Sequence, residues 1–388
     1  MEQGIKVLMI SRDRNIANPG NAVAERMEEY GKLVEELHIV IFALKNLKLE
    51  KKQIASNVWI YPTNSFSRWL YIRDAARLGK QIVFDKKFTR GKSLVTTQDP
   101  FESGWAGLKV KKKWRIPLEV QMHTDPFSPY FSGFQNRVRK FFARKVLHNA
   151  DSIRVVTKDL KPKILNLPAG RAGLKSNARI SVLPIYVDKE KIKNAKISFD
   201  LHARYPWRFI LLTVSRLSPE KNLELALETL ALVRERFLNT GLVIVGSGPE
   251  ESKLRSMVKS LRLEGAVEFV GWQNDLTSFY KTANVFIQTS LFEGYGLSLV
   301  EAGLSGLPVI TTPVGVALEL EHDKDALIYP LNDVNLFANG VIDLIENNYK
   351  RENLRANMKR TLETKLISKD DYMAQIKLGW EETARNIK

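Results

Sequence analysis

Short apolar segments alternate with longer helical stretches along most of the chain, and this alternation constrains the fold more than any other feature. In the first half, the predicted strands are 6–10, 38–42, 58–61, 93–97, 118–123 and 152–156. In the second series they are 209–214, 242–245, 267–269, 285–288 and 309–311. Strands that are separated by helices pair in parallel and are covered on both faces. The sequence therefore predicts an α/β fold with two doubly wound, Rossmann-like domains.

The position of the polar stretch between the two series sets the predicted domain boundaries. Residues 188–204 are predicted to be a linker between a first domain, 1–187, and a second domain, 205–370. The final segment, 371–388, has the apolar spacing of an amphipathic helix. A further helix is predicted at 22–37. A length of 388 residues suits two domains of ordinary size.

The net charge of +17 is concentrated in the first half of the chain. Residues 1–180 hold 34 lysines and arginines against 16 acidic residues. Aromatic and basic residues mix at 67–80, 109–115 and 137–145, a pattern typical of helices with a solvated basic face and of segments that lie on anionic membranes. No zinc-ligand spacing or RNA-binding signature accompanies the charge. We therefore expect an acidic partner, such as an anionic membrane surface or a phosphorylated substrate, and not a nucleic acid.

Composition excludes several kinds of chemistry. The chain has no cysteine, so it can form neither disulfides nor thiolate metal sites. The first residues do not have the pattern of a signal peptide, and no apolar run approaches the ~18 residues of a membrane helix. The Asp323-Lys324-Asp325 segment lies where a polar turn is expected, and no metal site is predicted. We expect a cytoplasmic protein that is soluble or peripheral on a membrane.

Two glutamates, Glu293 and Glu301, frame a glycine turn between a predicted strand and a predicted helix. The turn consists of Gly294, Tyr295, Gly296 and Leu297. Glycines let backbone approach a ligand closely, and the free N–H groups of a helix start favour oxygen-rich ligands. Carboxylates accept paired hydrogen bonds from vicinal diols, which riboses and hexoses offer. The spacing therefore predicts a site that holds the sugars at the two ends of a nucleotide.

Two cations and two glycine-containing turns extend this predicted site. Arg216 and Lys221 follow a strand and precede a helix, where a diphosphate would be favoured. Gly246 ends the next strand in a turn that is either a ligand contact or ordinary turn chemistry. Val270 lies in a similar segment at the end of the strand after that, with the same two alternatives.

These segments, in this order, resemble the retaining glycosyltransferases of family 4, which have the GT-B fold. The resemblance is closest over about residues 205–320. It implies two Rossmann-like domains that face a central cleft, with a C-terminal helix that crosses back to the first domain. The second domain would bind the nucleotide-sugar donor, and the first domain, completed by residues 371–388, would bind the acceptor.

The resemblance also implies roles for individual residues. Arg216 and Lys221 would hold the donor diphosphate and stabilise it as it leaves. Glu293 would take part in catalysis, and His123, at the end of a predicted strand, would contact the transferred sugar. The remaining residues would bind the donor: Glu301, Gly294, Tyr295, Gly296, Leu297, Gly20, Gly246 and Val270. Family members often have paired glycines where this chain has only Gly20.

The function that follows from the resemblance is transfer of a hexose from a nucleotide diphosphate sugar with retention at the anomeric carbon. The acceptor would be a lipid-linked or other glycan in cell-surface polysaccharide or glycolipid synthesis, and the enzyme would work at the inner face of the cell membrane. The mechanism proposed for such enzymes needs neither a protein nucleophile nor a cofactor or metal. The alternatives are a GT-B enzyme that is not a transferase, such as a sugar-nucleotide epimerase or a phosphorylase, and a basic nucleic-acid-binding protein.

Overall fold

The structure, a computed structural model, describes residues 4–18, 20–129, 131, 133–165 and 178–385. It divides into two compact units. The first unit comprises the chain up to Pro184 together with the segment from Ser368 onward, and the second comprises Ile185–Ile367.

Within the described residues, the first unit forms an eight-stranded sheet. The strands are β1 (Lys6–Ser11), β2 (Glu36–Ile41), β3 (Lys52–Ala55), β4 (Val58–Pro62), β5 (Ser93–Thr97), β6 (Leu118–Met122), β7 (Ser152–Val155) and β8 (Arg179–Val182). They are arranged β3-β4-β2-β1-β5-β6-β7-β8, and neighbours are parallel except β3 with β4. The central strand β1 is buried from Val7 to Ile10, as a sheet covered on both faces requires.

Helices connect these strands. They are α1 (Ala22–Gly31), α2 (Tyr71–Asp85), α3 (Glu102–Trp114), α4 (Phe134–Asn149) and α5 (Leu160–Leu165). The three basic and aromatic segments of the sequence fall at or within α2, α3 and α4, each of which packs part of its surface inward.

The helix predicted at 22–37 is wrong beyond Gly31. A Cβ on Gly31 would lie closer than 3.0 Å to Val58, and Asn57 Nδ2 donates to the carbonyls of Gly31 (2.8 Å) and Val34 (2.9 Å). These bonds satisfy carbonyls that a helix end leaves free. The chain then enters β2, in which residue 37 and its neighbours up to residue 41 are completely buried. Burial on both faces of a sheet outweighs the local helical spacing.

The second unit, whose residues all lie inside the described range 178–385, has a six-stranded parallel sheet. Its strands are β9 (Phe209–Val214), β10 (Thr240–Val245), β11 (Val267–Gly271), β12 (Val285–Gln288), β13 (Val309–Thr311) and β14 (Leu327–Ile328), in the order β11-β10-β9-β12-β13-β14. The helices are α6 (Lys189–Asn194), α7 (Leu201–Arg204), α8 (Leu223–Arg236), α9 (Glu251–Ser260), α10 (Thr277–Thr282), α11 (Leu297–Leu304), α12 (Val334–Glu346) and α13 (Asn348–Lys365). The predicted strands of both units are confirmed to within two residues at either end.

The segment 188–204, predicted to be a linker, is part of the second unit and contains α6 and α7. Ser198 N–H and Ser278 Oγ form a hydrogen bond of 2.8 Å, and Lys281 Nζ donates to the carbonyl of Ala195 at 2.6 Å. Both partners outside the segment belong to α10. Backbone groups of this segment are therefore bonded to α10 of the same unit.

A last helix, α14 (Lys369–Arg385), returns the chain to the first unit, as predicted. Trp380 is completely buried there, and the hydroxyls of Tyr372 and Tyr30 lie 3.1 Å apart. Residues 386–388 of the predicted helix lie outside the described residues. None of the helices that the structure describes is both long and apolar enough to cross a bilayer.

Candidate functional site

The strand order of the second unit reverses between β9 and β12. From β9 the chain winds outward through β10 and β11, and it then returns to β12 on the other side of β9. In open parallel sheets, ligands bind beyond the carboxyl ends of the strands at such a switch point. The loop after β9 carries Arg216 and Lys221, and the loop after β12 carries Glu293. The fold therefore places these three predicted residues beside the switch point.

Lys221 and Glu293 form an ion pair across this point. Nζ of Lys221 lies 2.6 Å from Oε1 of Glu293, and their side chains are only 14% and 12% exposed. The Ser290 hydroxyl donates to the same carboxylate oxygen at 2.7 Å. Charge-assisted hydrogen bonds between side chains that are largely shielded from solvent are strong and well oriented. The ammonium of Lys221 is therefore held at a fixed position next to the ends of β9 and β12.

Hydrogen bonds to backbone carbonyls tie the two loops together around this ion pair. The Leu291 N–H donates to the Glu220 carbonyl (2.8 Å), and the Thr289 hydroxyl donates to the Lys221 carbonyl (3.0 Å). The guanidinium of Arg216 donates to the Glu220 carboxylate at 2.9 Å, but its side chain is 72% exposed. The guanidinium of Arg216 therefore has N–H donors that remain accessible to an anion from solvent.

The glycine turn leads from Glu293 into α11. Gly296 has φ of +95°, a conformation that glycine adopts without strain, and it directly precedes the helix. Tyr295 is buried, and burial followed by the nearby Glu319 raises its pKa to about 12. The Val316 N–H donates to the Tyr295 carbonyl at 2.7 Å. Gly294 is half-buried and Leu297 is 40% exposed at the start of α11.

Glu301 has a different environment from Glu293. Its Oε2 accepts a hydrogen bond of 3.0 Å from the Tyr280 hydroxyl, on α10. Burial raises the pKa of Glu301, and the Tyr280 hydrogen bond opposes this only in part. The two carboxylates, which the sequence predicts as a pair, therefore have different partners. Glu293 pairs with the ammonium of Lys221, and Glu301 accepts from the phenol of Tyr280.

We expect Glu301→Gln to stabilise the protein at neutral pH and to change its stability little near pH 4. Because the folded pKa of Glu301 is raised above its ordinary value of 4.5, the stabilising contribution of this carboxyl is complete below that pH. It is lost as the pH rises through the folded pKa, since the charged form is poorly solvated. Urea midpoints of both proteins at the two pH values measure the effect. A variant that is less stable than the wild type at pH 7 would contradict it.

The structure gives Gly246 a packing role. Its φ is +131°, and a Cβ there would lie closer than 3.0 Å to the carbonyl oxygen of Ser215. The turn after β10 therefore lies directly against the loop after β9. Val270, in β11, is half-buried, and its carbonyl accepts a hydrogen bond from Gln273 Nε2 at 2.8 Å.

Two polar atoms near the same strand ends were not predicted as site atoms. Ser215 Oγ and Gln288 Oε1 are buried, and neither has a hydrogen-bond partner among the described residues. Buried polar atoms are normally paired, so unpaired ones at a switch point indicate where a polar ligand would bind. The sequence contains one signal for Gln288, since it is a polar residue that ends the apolar strand β12.

Two predicted site residues, His123 and Gly20, belong to the first unit. His123 directly follows β6, and its Nε2 lies 3.4 Å from Gln121 Oε1. Its side chain reaches solvent, but enclosure by the surrounding protein, followed by the charges of Arg154 and Arg26, lowers its pKa to about 4. The imidazole is therefore neutral at pH 7. Gly20 has φ of +73°, with open space where a Cβ would be.

The described residues contain no group of three or more histidines and carboxylates placed to hold a metal ion. In the Asp-x-Asp segment, Asp325 is 4% exposed and accepts hydrogen bonds from the Thr361 hydroxyl (2.7 Å) and the Glu321 N–H (3.0 Å). Asp323, at φ of +62°, pairs with Lys350 at 2.6 Å. Asp325 therefore holds the turn through the Glu321 N–H, and Asp323 pairs the segment with α13.

Residues 197–361, most of the second unit, match the model of the family described as glycosyl transferases group 1. At the level of this match, the resemblance stated from the sequence is confirmed: this part of the chain is similar to group 1 glycosyltransferases. The whole chain has the fold of GT-B enzymes. It superposes on HepE of Anabaena, in complex with UDP and glucose, with a TM-score of 0.73 at 18% identity, covering 96% of this chain and 98% of HepE.

Sequence relatives cover less of the chain. It is 31% identical over 172 residues to the UDP-Gal:alpha-D-GlcNAc-diphosphoundecaprenol alpha-1,3-galactosyltransferase of Escherichia coli, covering 42% of this chain and 44% of that enzyme. It is 24% identical over 336 residues to the alpha-monoglucosyldiacylglycerol synthase of Streptococcus pneumoniae, covering 76% and 73%. The chain spans less than half the length of several other curated relatives that it matches.

Proposed function

We propose that the protein is a retaining glycosyltransferase that moves a hexose from a nucleotide diphosphate sugar to a lipid-linked or other glycan acceptor. The observation that carries this proposal is the Lys221–Glu293 ion pair at the switch point of a group 1 domain, with the exposed guanidinium of Arg216 on the same loop. Cations beside a departing diphosphate stabilise its charge, and here one is held in place by an ion pair while the other can be reached from solvent. The names of the two sequence relatives, one acting on a lipid diphosphate sugar and one making a glycolipid, support this acceptor class and a role in cell-surface polysaccharide or glycolipid synthesis.

In the proposed reaction, the bond from the anomeric carbon to the diphosphate breaks as the acceptor oxygen attacks the same face. The leaving phosphate oxygen takes the acceptor's proton, so no protein nucleophile is needed. Arg216 and Lys221 stabilise the negative charge that develops on the diphosphate, which in other enzymes requires a metal. Glu293 keeps Lys221 in position, and neutral His123 offers a hydrogen-bonding group to the sugar. Ser215 and Gln288 gain partners from the donor.

The donor can be identified by thermal denaturation in the presence of UDP, GDP and ADP. A ligand that binds only the folded state adds about 2.7 kcal/mol at a hundredfold excess over its dissociation constant. UDP is the expected ligand, because UDP is bound to HepE, which shares the fold. Glu301→Ala should lose most of the gain, whereas Glu264→Ala, at an exposed glutamate of the same unit, should keep it. If no nucleotide raises the midpoint of the wild type, the proposed donor site is wrong.

Transfer is distinguished from the alternative GT-B activities by its products. The protein is incubated with UDP-hexose and a lipid-linked glycan acceptor, and the products are examined by NMR. Transfer releases UDP and forms a glycoside with the donor's anomeric configuration. An epimerase would change the sugar nucleotide without any acceptor, and a phosphorylase would require inorganic phosphate. Either result, or an inverted glycoside, would contradict the proposal.

The membrane that carries such an acceptor would meet a particular loop of the basic first unit. Phe66 and Trp69, 79% and 92% exposed, lie between β4 and α2. Nζ of Lys45 lies 4.7 Å from the centre of the Phe66 ring, and Arg68 and Arg73 are exposed beside them. Aromatic rings between cations suit the interface of an anionic bilayer, where each cation adds about 1 kcal/mol. We infer that the protein is cytoplasmic and peripheral on the inner membrane face through this loop.

Trp69→Ala should weaken binding to vesicles of phosphatidylglycerol and phosphatidylcholine by about tenfold, since it removes a large aromatic side chain from the interface. Trp272→Ala is the matched control, because Trp272 is 71% exposed and lies in the second unit. Co-sedimentation at low and high salt gives both affinities. Equal losses in the two variants, or binding that does not depend on salt, would rule out this loop.

A further inference from the structure

One face of β6 is polar although the strand is buried. Glu119 and Gln121, which are 2% and 7% exposed, alternate with apolar residues, and His123 continues the same alternation past the end of the strand. Alternate residues of a strand point to the same face, so these side chains form a row. Buried polar side chains are retained where hydrogen bonds satisfy them. The hydrogen bonds that these side chains make therefore indicate the function of the row.

A continuous chain of hydrogen bonds runs along the row through Thr96 of β5. The Thr96 hydroxyl lies 2.9 Å from Glu119 Oε1, and Gln121 Nε2 lies 3.1 Å from Thr96 Oγ1. Gln121 Oε1 in turn lies 3.4 Å from His123 Nε2. Two side chains, those of Thr96 and Gln121, thus connect the buried carboxylate of Glu119 to the imidazole of His123.

The far end of this chain is held by charge and by the C-terminal helix. Arg154 Nη2 lies 3.8 Å from Glu119 Oε1, within ion-pair distance. The indole N–H of Trp380, in α14, donates to the same oxygen at 3.1 Å. A cavity of about 230 Å³ borders both Glu119 and Arg154 but leaves them largely covered. Glu119 is therefore fixed as a hydrogen-bond acceptor.

An acceptor at one end determines the direction of every bond in the chain. A carboxylate has no proton to donate, so the Thr96 hydroxyl donates to Glu119 and must accept from the Gln121 NH₂ group. The Gln121 carbonyl oxygen is then left for His123, and it can only accept. A neutral imidazole that faces this oxygen through Nε2 must carry its proton there, which leaves Nδ1 as an acceptor.

We infer that Thr96, Gln121 and Glu119 are positioning residues that fix His123 as the neutral Nε2–H tautomer, so that Nδ1 accepts a hydrogen bond from a hydroxyl of the bound sugar. The tautomer follows from the first unit alone. Only the partner of Nδ1 rests on the proposed function.

The tautomer is measured by NMR on protein labelled with ¹⁵N-histidine, with the His123 signals assigned from a His123→Ala variant. In the wild type at pH 7, Nδ1 should give the signal of an unprotonated ring nitrogen and Nε2 that of a protonated one. Thr96→Val removes the hydroxyl with little change of shape. It should make the two signals converge, because both tautomers become populated.

Thr97→Val is the matched control, since Thr97 is the next residue of β5 and equally buried, and its hydroxyl donates to the Asp99 carbonyl at 3.3 Å instead of to the row. It should keep the wild-type signals. Gln121→Met, of similar volume, should reproduce the convergence and carries the test if Thr96→Val does not fold. A protonated Nδ1 in the wild type, or unchanged signals in both Thr96→Val and Gln121→Met, would overturn the inference.

A kinetic measurement separates this inference from the proposed function. Thr96→Val should lower kcat for sugar transfer on the order of tenfold, with the donor KM unchanged, because the sugar would meet a misoriented ring. An unchanged kcat beside converged NMR signals would overturn the assigned sugar contact. If the NMR results hold but the wild type transfers no sugar to any acceptor, the proposed function fails and the tautomer assignment stands.

Discussion

Lys221→Ala is expected to reduce the rate of sugar transfer by about 10²–10³-fold and to destabilise the protein by about 3 kcal/mol. The rate falls because a preorganised cation no longer meets the charge on the departing diphosphate. The stability falls because the Glu293 carboxylate, whose side chain is 12% exposed, loses its cationic partner and keeps only the hydrogen bond from the Ser290 hydroxyl. Nucleotide release and urea unfolding measure the two effects.

The two effects of Lys221→Ala can be separated with further variants. Lys221→Ala/Glu293→Gln should recover most of the stability, since no unpaired buried charge remains, but not the activity. Arg216→Ala should lose activity by about 10²-fold with little change in stability, because that side chain is 72% exposed. Lys253→Ala, which removes an exposed lysine paired with Glu224, serves as the control. Wild-type turnover in Lys221→Ala would show that the ion pair is structural only.

Gly246→Ala should destabilise the protein by about 3 kcal/mol or more. An alanine would be strained at φ of +131°. Its Cβ would also clash with the carbonyl oxygen of Ser215, which belongs to the backbone and cannot move away by rotation of a side chain. The loop that carries Arg216 would have to shift, so donor affinity should fall as well.

Gly271→Ala is the matched comparison for Gly246→Ala. Gly271 also ends a strand with a positive φ, +69°, but no heavy atom lies within 4 Å of its Cβ position. It should lose only about 1 kcal/mol, the cost of a left-handed conformation. Urea midpoints and UDP affinities of both variants show whether the close contact with Ser215 adds to the cost of the positive φ. Equal losses would mean that conformational strain, and not contact with the loop after β9, explains the need for glycine.

The sheets could be predicted from the sequence because their strands are apolar runs between helices. The strands that were missed are the polar edge strand β3, the half-buried β8 and the two-residue β14. Edge strands bury only part of their surface, so their sequences need not be apolar. The error at Gly31 has the opposite origin, since there a fully buried strand follows a helix without a clear break.

Several residues that lie at the candidate site were predicted from the sequence, but Ser215, Gln288 and the bonds between the residues were not. Lys221 and Glu293 are 72 positions apart in the sequence, and they meet only because β12 pairs with β9 after two intervening strands. The Tyr280–Glu301 bond similarly needs the placement of α10. Local motifs identify which side chains carry chemistry. The strand order decides which of them become partners.

The return of the chain to the first unit through α14 has a consequence for synthesis on the ribosome. The first 184 residues emerge before the segment that covers Glu119 and supplies the Trp380 N–H has been made. At typical rates of 5–20 residues per second, about 10 to 40 seconds pass before this helix follows. The second unit is contiguous and can fold during that interval. The half of the protein that is translated first is therefore the last to be completed, and a chain that stops early, just before α14, would contain a finished second unit and an unfinished first one.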